Sequence, residues 1–185
     1  MTREIEAKIK VPSLDLFEEK LKNLGAEFMH TVQQTDTYFM DTHKLLHKND
    51  CGLRIREQAM DGAETAMITF KGPRSESQYK SRPEHETGID NVEMAENIFE
   101  ALGYHKCLIV RKQRSLWRLD GCDVCLDELP DLGCFVEVEG PDEETISTVL
   151  GKLNLHDQPH LTNSYASMTA RKLKQTENDS FGTSI

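Results

Sequence analysis

The chain has 185 residues and a formal net charge of −10, with 37% hydrophobic and 29% charged residues. That length fits one domain or a tight pair of sub-domains, and the acidic balance argues against broad nucleic-acid binding. No apolar run approaches the roughly 18 residues that a spanning helix needs, and no signal-type apolar segment opens the chain. The expectation is a cytoplasmic protein with neither membrane nor nucleic-acid partners.

In chain order, "TREIEAKIK" alternates charged and apolar residues strictly, which is the period of a strand. "PSLDLFEEKLKNLG" predicts a helix with Ser13 as N-cap, Leu14, Phe17, Leu21 and Leu24 on one face, and Gly25 as its stop. "EFMHTVQQTDTYFMD" is extended, and a loop around "THKLLHKND" follows it. "GLRIREQ", "ETAMITFKG" and "SQYKSRPEHETG" read as strands separated by turn signals at "MDGA" and "KGPRSES". "VEMAENIFEALG" is a second amphipathic helix. "YHKCLIVRKQRSLWRLDG", "CDVCLDELPDLG" and "CFVEVEG" form an antiparallel meander with glycine at its corners.

"PDEETISTVLGKLNL" predicts a third helix, begun by Pro141 and interrupted near its end by Gly151. "NSYASMTARKLKQ" is a short last helix. The chain thus reads as a single domain over residues 1–172 with a disordered tail over 173–185. Strands that come in meanders rather than βαβ units favour an α+β fold with a largely antiparallel sheet.

Five cysteines, an odd count, suit reduced thiols. Cys122 and Cys125 form a CxxC, but on a strand residues three apart face opposite sides, so the pair does not read as a metal site. Cys51, Cys107 and Cys134 read as packing residues, and the seven histidines follow no ligand spacing.

The opening alternation recurs through the chain. It aligns Glu4, Glu6 and Lys8; Arg54 and Arg56; Thr69 and Lys71; and Lys80, Arg82, Glu84 and Glu86. It also aligns Lys112, Arg114 and Arg118; Asp123, Cys125 and Asp127; and Glu137 and Glu139. A solvated face explains any one of these, since half-buried antiparallel strands alternate this way. An ordinary surface sheet mixes in Thr, Ser, Gln and Asn, whereas here the polar face is charged in strand after strand, with signs grouped by strand. Closing such a sheet with its charged faces inward gives a polar tunnel, with the apolar faces covered by the helices. A basic wall beside clustered carboxylates suits a polyphosphate with a divalent metal.

These residues resemble the CYTH superfamily, the triphosphate tunnel metalloenzymes. Glu4, Glu6 and Lys8 match its ExExK signature. "QTDTYF" (Gln34, Asp36, Tyr38, Phe39) matches its second strand, and Arg54 and Arg56 its RxR pair. Lys71, then Arg82 with Glu84 and Glu86, then Lys112 with Arg114, then Asp127, Glu137 and Glu139 follow in order, and "SYASM" fits the last helix. The helix "NIFEALG" with the strand after it, and the overall length, look most like class IV adenylyl cyclases.

The resemblance implies an eight-stranded antiparallel barrel, or tunnel, with flanking helices. It implies that Glu4, Glu6, Asp127, Glu137 and Glu139 hold Mg²⁺ or Mn²⁺. Lys8, Arg54, Arg56, Lys71, Arg82, Lys112 and Arg114 would bind the triphosphate, with Glu4, Glu6, Lys8, Lys112 and Arg114 nearest the chemistry. For Arg82, Glu84 and Glu86 an internal salt-bridge ladder is an equal reading. For Lys80, Arg118 and Asp123 it is the preferred one, and Trp117 reads as packing.

The reaction implied first is ATP to cyclic AMP and pyrophosphate. Hydrolysis of inorganic triphosphate, thiamine triphosphate or a nucleoside triphosphate is the alternative reaction. A non-catalytic polyphosphate- or nucleotide-binding module is an alternative of another class. A homodimer stays open.

Overall fold

The computed structural model describes residues 2–60, 62–75 and 79–181, with side chains described from Ile5 to Thr176 outside the same gaps. Eight strands form the framework: β1 (Thr2–Val11), β2 (Glu27–Asp41), β3 (Gly52–Met60), β4 (Ala63–Lys71), β5 (Lys80–Ile89), β6 (Tyr104–Leu119), β7 (Cys122–Leu129) and β8 (Gly133–Glu139). They close into a barrel in the order β1-β5-β4-β3-β2-β6-β7-β8, and every neighbouring pair is antiparallel. Five helices accompany them: α1 (Asp15–Asn23), α2 (Leu45–Lys48), α3 (Val92–Ala101), α4 (Glu143–Leu153) and α5 (Tyr165–Phe181). None is long and apolar enough to cross a membrane among the described residues.

The apolar faces of the strands point outward and meet the helices. Ala7, Ile9, Val124, Leu126, Val136 and Val138 pack with Leu21 of α1 and with Ile146, Val149, Leu150 and Leu153 of α4. Trp117 is buried in the same cluster, edge-on to Phe28 at 5.0 Å. A second cluster joins Phe39, Leu53 and Ile55 to Ala95, Val92 and Phe99 of α3. Burial of this outward apolar surface supplies the driving force for folding that the charged interior cannot.

Local chemistry explains the helix ends. Asp142 caps α4 by accepting the Thr145 N–H at 2.8 Å, and Glu143 and Glu144 complement the positive end of the helix dipole. Gly151 lies within α4 and does not interrupt it; the helix stops at Asn154, whose φ of 58° is left-handed. Asn91 caps α3 through the Met94 N–H at 2.8 Å. In α1 the N-cap position is Leu14 and not Ser13, although the Ser13 hydroxyl still accepts the Asp15 N–H at 3.2 Å. Gly140 ends β8 where a Cβ would stand 2.8 Å from both Cys122 Sγ and Ile146 Cγ1, so only glycine lets α4 follow so closely. Helix α5 continues to Phe181, so part of the tail expected to be disordered is helical; "ARKLKQ" consists of good helix formers.

Replacing Leu150 by Ala, which opens a cavity between α4 and the barrel, is expected to lower unfolding free energy by about 2–5 kcal/mol. Urea denaturation checks this as a fall in midpoint at unchanged slope.

Candidate active site

Strand alternation, fixed by the outward apolar packing, turns the charged faces inward. β1 lies between β5 and β8, so Glu6 is paired across the sheet with Lys80 on one side and Glu139 on the other, and Lys8 is paired with Glu137. Lys8 Nζ is 2.9 Å from Glu137 Oε1 and 3.3 Å from Glu6 Oε1. Lys80 Nζ is 2.5 Å from Glu6 Oε1. Lys80 therefore forms an internal ion pair on the tunnel wall. Arg118 and Asp123 pair at 3.1 Å with both side chains substantially exposed.

Two aspartates organise most of the basic wall. Asp36 on β2 accepts from Arg54 Nη1 at 3.0 Å and from Arg56 Nε and Nη2 at 2.6 and 2.7 Å. Asp127 on β7 is fully buried. It accepts from Arg114 Nε and Nη2 at 2.7 and 2.6 Å, from Lys112 Nζ at 3.1 Å, and from the Tyr165 hydroxyl at 2.9 Å. Arg114 also pairs with Glu137 and reaches Glu139 at 3.5 Å. On the remaining strands Lys71 pairs with Glu84, Thr69 donates to Glu86 at 2.7 Å, and Arg54 lies 3.7 Å from Glu86. Arg82 Nη2 donates to the Asp50 carbonyl at 2.5 Å. Glu4 is paired with Arg82 in the sheet, but its side chain lies outside the described residues.

Charge neutralisation controls the titration of these groups. Burial opposes ionisation of Asp36, yet the guanidiniums of Arg54 and Arg56 outweigh it and hold the carboxyl far below its usual range. Burial likewise opposes charge on Glu137 and Asp127. Lys8 and Arg114 hold Glu137 low, and Arg114 and Lys112 hold Asp127 low. Lys8 is held above the ordinary lysine value, because Glu137 and Glu6 outweigh its burial. Lys112 goes the other way: burial, with the Arg114 guanidinium beside it, pulls its ammonium down to about 8.

Among the described residues part of this wall is unsatisfied. Arg54 Nε and Arg82 Nε are buried donors with no acceptor among the described residues. Unused buried donors on a cationic wall are what an anion with many acceptor oxygens would fill.

Glu6, Glu137 and Glu139 each offer a carboxylate oxygen, and these oxygens lie within 4.8 Å of one another. Three hard oxygen donors so close fit a divalent cation such as Mg²⁺ or Mn²⁺. Asp127 stands outside this group, with its oxygens taken up by Arg114, Lys112 and Tyr165.

Toward one end of the barrel, Val110, Leu129, Phe135 and Tyr165 form an apolar cluster with Leu108 packed against it. Tyr165, at the start of α5, takes Lys8 over its ring at 4.3 Å and Lys112 at 5.0 Å while bonding Asp127. Sequence reasoning fitted "SYASM" to the last helix but gave Tyr165 no role, because period-two alternation finds wall residues on strands and is blind to a helix residue that enters the barrel end. A cavity of about 740 Å³ is lined by Gln33, Thr35, Glu57, Gln58, Glu64 and Asp90 among others. It carries no cation among its lining residues, so the tunnel is the candidate site.

Asp36→Asn leaves two buried guanidiniums without their counter-charge and is expected to cost about 3–5 kcal/mol of stability. The lowered carboxyl of Asp36 stabilises the fold above the ordinary aspartate value, and this contribution is lost as pH falls through the lower folded value. Unfolding free energy of the Asn variant should therefore fall less steeply than wild type below about pH 4. Denaturation series between pH 2 and 7 check both points.

Comparison with known proteins agrees with this geometry. The CYTH domain family model matches residues 2–165. A Methanocaldococcus jannaschii protein provisionally named an adenylate cyclase is 32% identical over 136 residues, covering 74% of this chain and 75% of its own. The adenylate cyclase CyaB of Aeromonas hydrophila is 28% identical over 136 residues, covering 73% and 67%. The solved structure of PH1819 from Pyrococcus horikoshii superposes with a TM-score of 0.81 at 27% identity, over 91% of this chain and 99% of that one. A Hippeastrum protein, described as an adenylyl cyclase candidate with a dominant triphosphatase activity, shares the fold at 19% identity, with a TM-score of 0.69 over 91% and 94% of the two chains. With a closed eight-stranded tunnel, an inward cationic wall and a family match over nearly its whole length, this chain belongs to the CYTH family and is an enzyme of phosphoryl or nucleotidyl chemistry.

Proposed function

We propose that this chain is a divalent-metal-dependent enzyme that converts ATP to cyclic AMP and pyrophosphate, in the manner of class IV adenylyl cyclases. The observation that carries the reading is the inner wall, where buried donors of Arg54 and Arg82 lack acceptors among the described residues and three carboxylates gather. The names of the Methanocaldococcus and Aeromonas relatives support the cyclase over other triphosphate chemistry.

Arg54, Arg56, Lys71 and Arg82 bind phosphate oxygens from one side of the tunnel, and Lys8, Lys112 and Arg114 from the other. Glu6, Glu137 and Glu139 would hold Mg²⁺ or Mn²⁺, with Glu4 added by its motif position. A divalent ion bound there would supply charge neutralisation for a phosphate group. Asp127 acts by holding Arg114 and Lys112 in place. In the reaction the ribose 3′ oxygen bonds to the α-phosphorus and loses its proton. The bond from that phosphorus to the bridging oxygen breaks, and pyrophosphate leaves with the electron pair. The residues supply neutralisation and alignment more than covalent chemistry.

The same walls can serve attack by water on a terminal phosphorus. The description of the Hippeastrum protein attaches both activities to this fold, so hydrolysis of inorganic, thiamine or nucleoside triphosphate is the second reading. A purely binding module needs the basic wall but not three converging carboxylates.

Phosphorus NMR of the protein with ATP, inorganic triphosphate or thiamine triphosphate, each with Mg²⁺ or Mn²⁺, separates these readings. Cyclic AMP with pyrophosphate is the expected product pair from ATP. Orthophosphate alone would move the assignment to the triphosphatase, and binding without turnover would sink both. Glu137→Gln is expected to reduce turnover by at least about 10- to 100-fold.

A further inference from the structure

Gln34 lies on the tunnel face of β2, between Lys112 on β6 and Gln58 on β3 in the sheet register. It is 7% exposed. Its Nε2 donates to Gln58 Oε1 at 3.1 Å, which orients the amide and leaves Oε1 facing away from that bond. Gln34 Oε1 is buried and has no donor among the described residues. The neighbouring Lys112 ammonium is bonded to Asp127 Oδ2 at 3.1 Å and makes no hydrogen bond to Gln34 Oε1.

A buried carbonyl without a donor is costly, and such groups are retained where a ligand or water completes them. The phosphate chain cannot complete this one. Its ionised oxygens are acceptors, which suit the unused nitrogens of Arg54 and Arg82 and repel an amide oxygen. Gln34 requires a hydrogen-bond donor, and it requires it beside Lys112 and one same-face step from Arg56 and Arg114 on the neighbouring strands, cations that the triphosphate reading assigns to phosphate. The amino group of a nucleobase lies beyond the ribose. The donor that must stand against phosphorus is the nucleophile's own O–H.

Resting on the triphosphate reading above, we propose that Gln34 Oε1 accepts a hydrogen bond from the attacking hydroxyl, of water or of the ribose, and so aims its lone pair at phosphorus. The amide takes no proton. The nucleophile's oxygen bonds to phosphorus, the bond to the departing phosphate breaks with its electron pair on the leaving oxygen, and the proton passes to that departing group. Gln58 holds the amide in the orientation that presents Oε1.

The test is steady-state kinetics of wild type and Gln34→Met with Mn²⁺, on inorganic triphosphate (orthophosphate release) and on ATP (cyclic AMP release). Methionine keeps the length and removes the acceptor. The expected result is a kcat lower by about 10- to 100-fold with KM within about twofold, as for a lost alignment. Loss on inorganic triphosphate assigns the acceptor to water. Loss confined to cyclic AMP formation assigns it to the ribose hydroxyl. Should Gln34→Met not fold, Gln34→Asn, which keeps the amide but withdraws its carbonyl, carries the same expectation. Unchanged kcat on every substrate that wild type turns over, or a raised KM at constant kcat, overturns the role of Gln34 alone. Wild type inert towards all triphosphates overturns the triphosphate reading itself.

Discussion

A closed barrel has turned its charged faces inward, and the charges there must be answered by one another. An isolated ion in a low-dielectric interior is strongly disfavoured. The chain meets this with interlocked networks. Asp36 neutralises Arg54 and Arg56, Asp127 neutralises Arg114 and Lys112, and Glu6 and Glu137 neutralise Lys8 and Lys80. The networks answer the charges of the walls and fix the direction of each cation, an arrangement that suits the proposed anionic substrate.

The neutralisation is deliberately incomplete. Among the described residues two guanidinium nitrogens lack acceptors and one amide oxygen lacks a donor. In the proposed reaction, acceptor-rich phosphate would answer the first deficit and an O–H the second. Lys112 shows the same imbalance in its titration, since Asp127 and Glu137 do not make up for its burial beside Arg114. Stability comes from elsewhere, from the apolar outer faces covered by α1, α3 and α4. That division lets the interior carry function at a cost the exterior offsets.

Much of this was legible in the chain. Alternation located β1 and β3 to β8, and the long β2 follows from its Thr and aromatic content. The caps were not: α4 was expected to begin at Pro141 but has Asp142 as its N-cap, and no cap was expected for α3, where Asn91 supplies it. Helix ends were less legible. Gly151 looked like an interruption, but four buried residues of α4 pack against the barrel and outweigh its modest helix penalty. Tyr165 was invisible as a site residue, because nothing in helical periodicity tells that its ring will enter the barrel end between two lysines.

By itself the sequence determined which side chains share a face, since a strand's period of two is a property of the backbone, and which faces are charged. It could not determine which face is buried, because alternation is symmetric to exchange of inside and outside. Closure decided that, by giving the apolar faces helices to pack against. Closure also chose the neighbours. Placing β1 between β5 and β8 brings Glu6 to Lys80, Glu137 and Glu139, residues from three segments whose approach depends on long-range pairing and not on local preference.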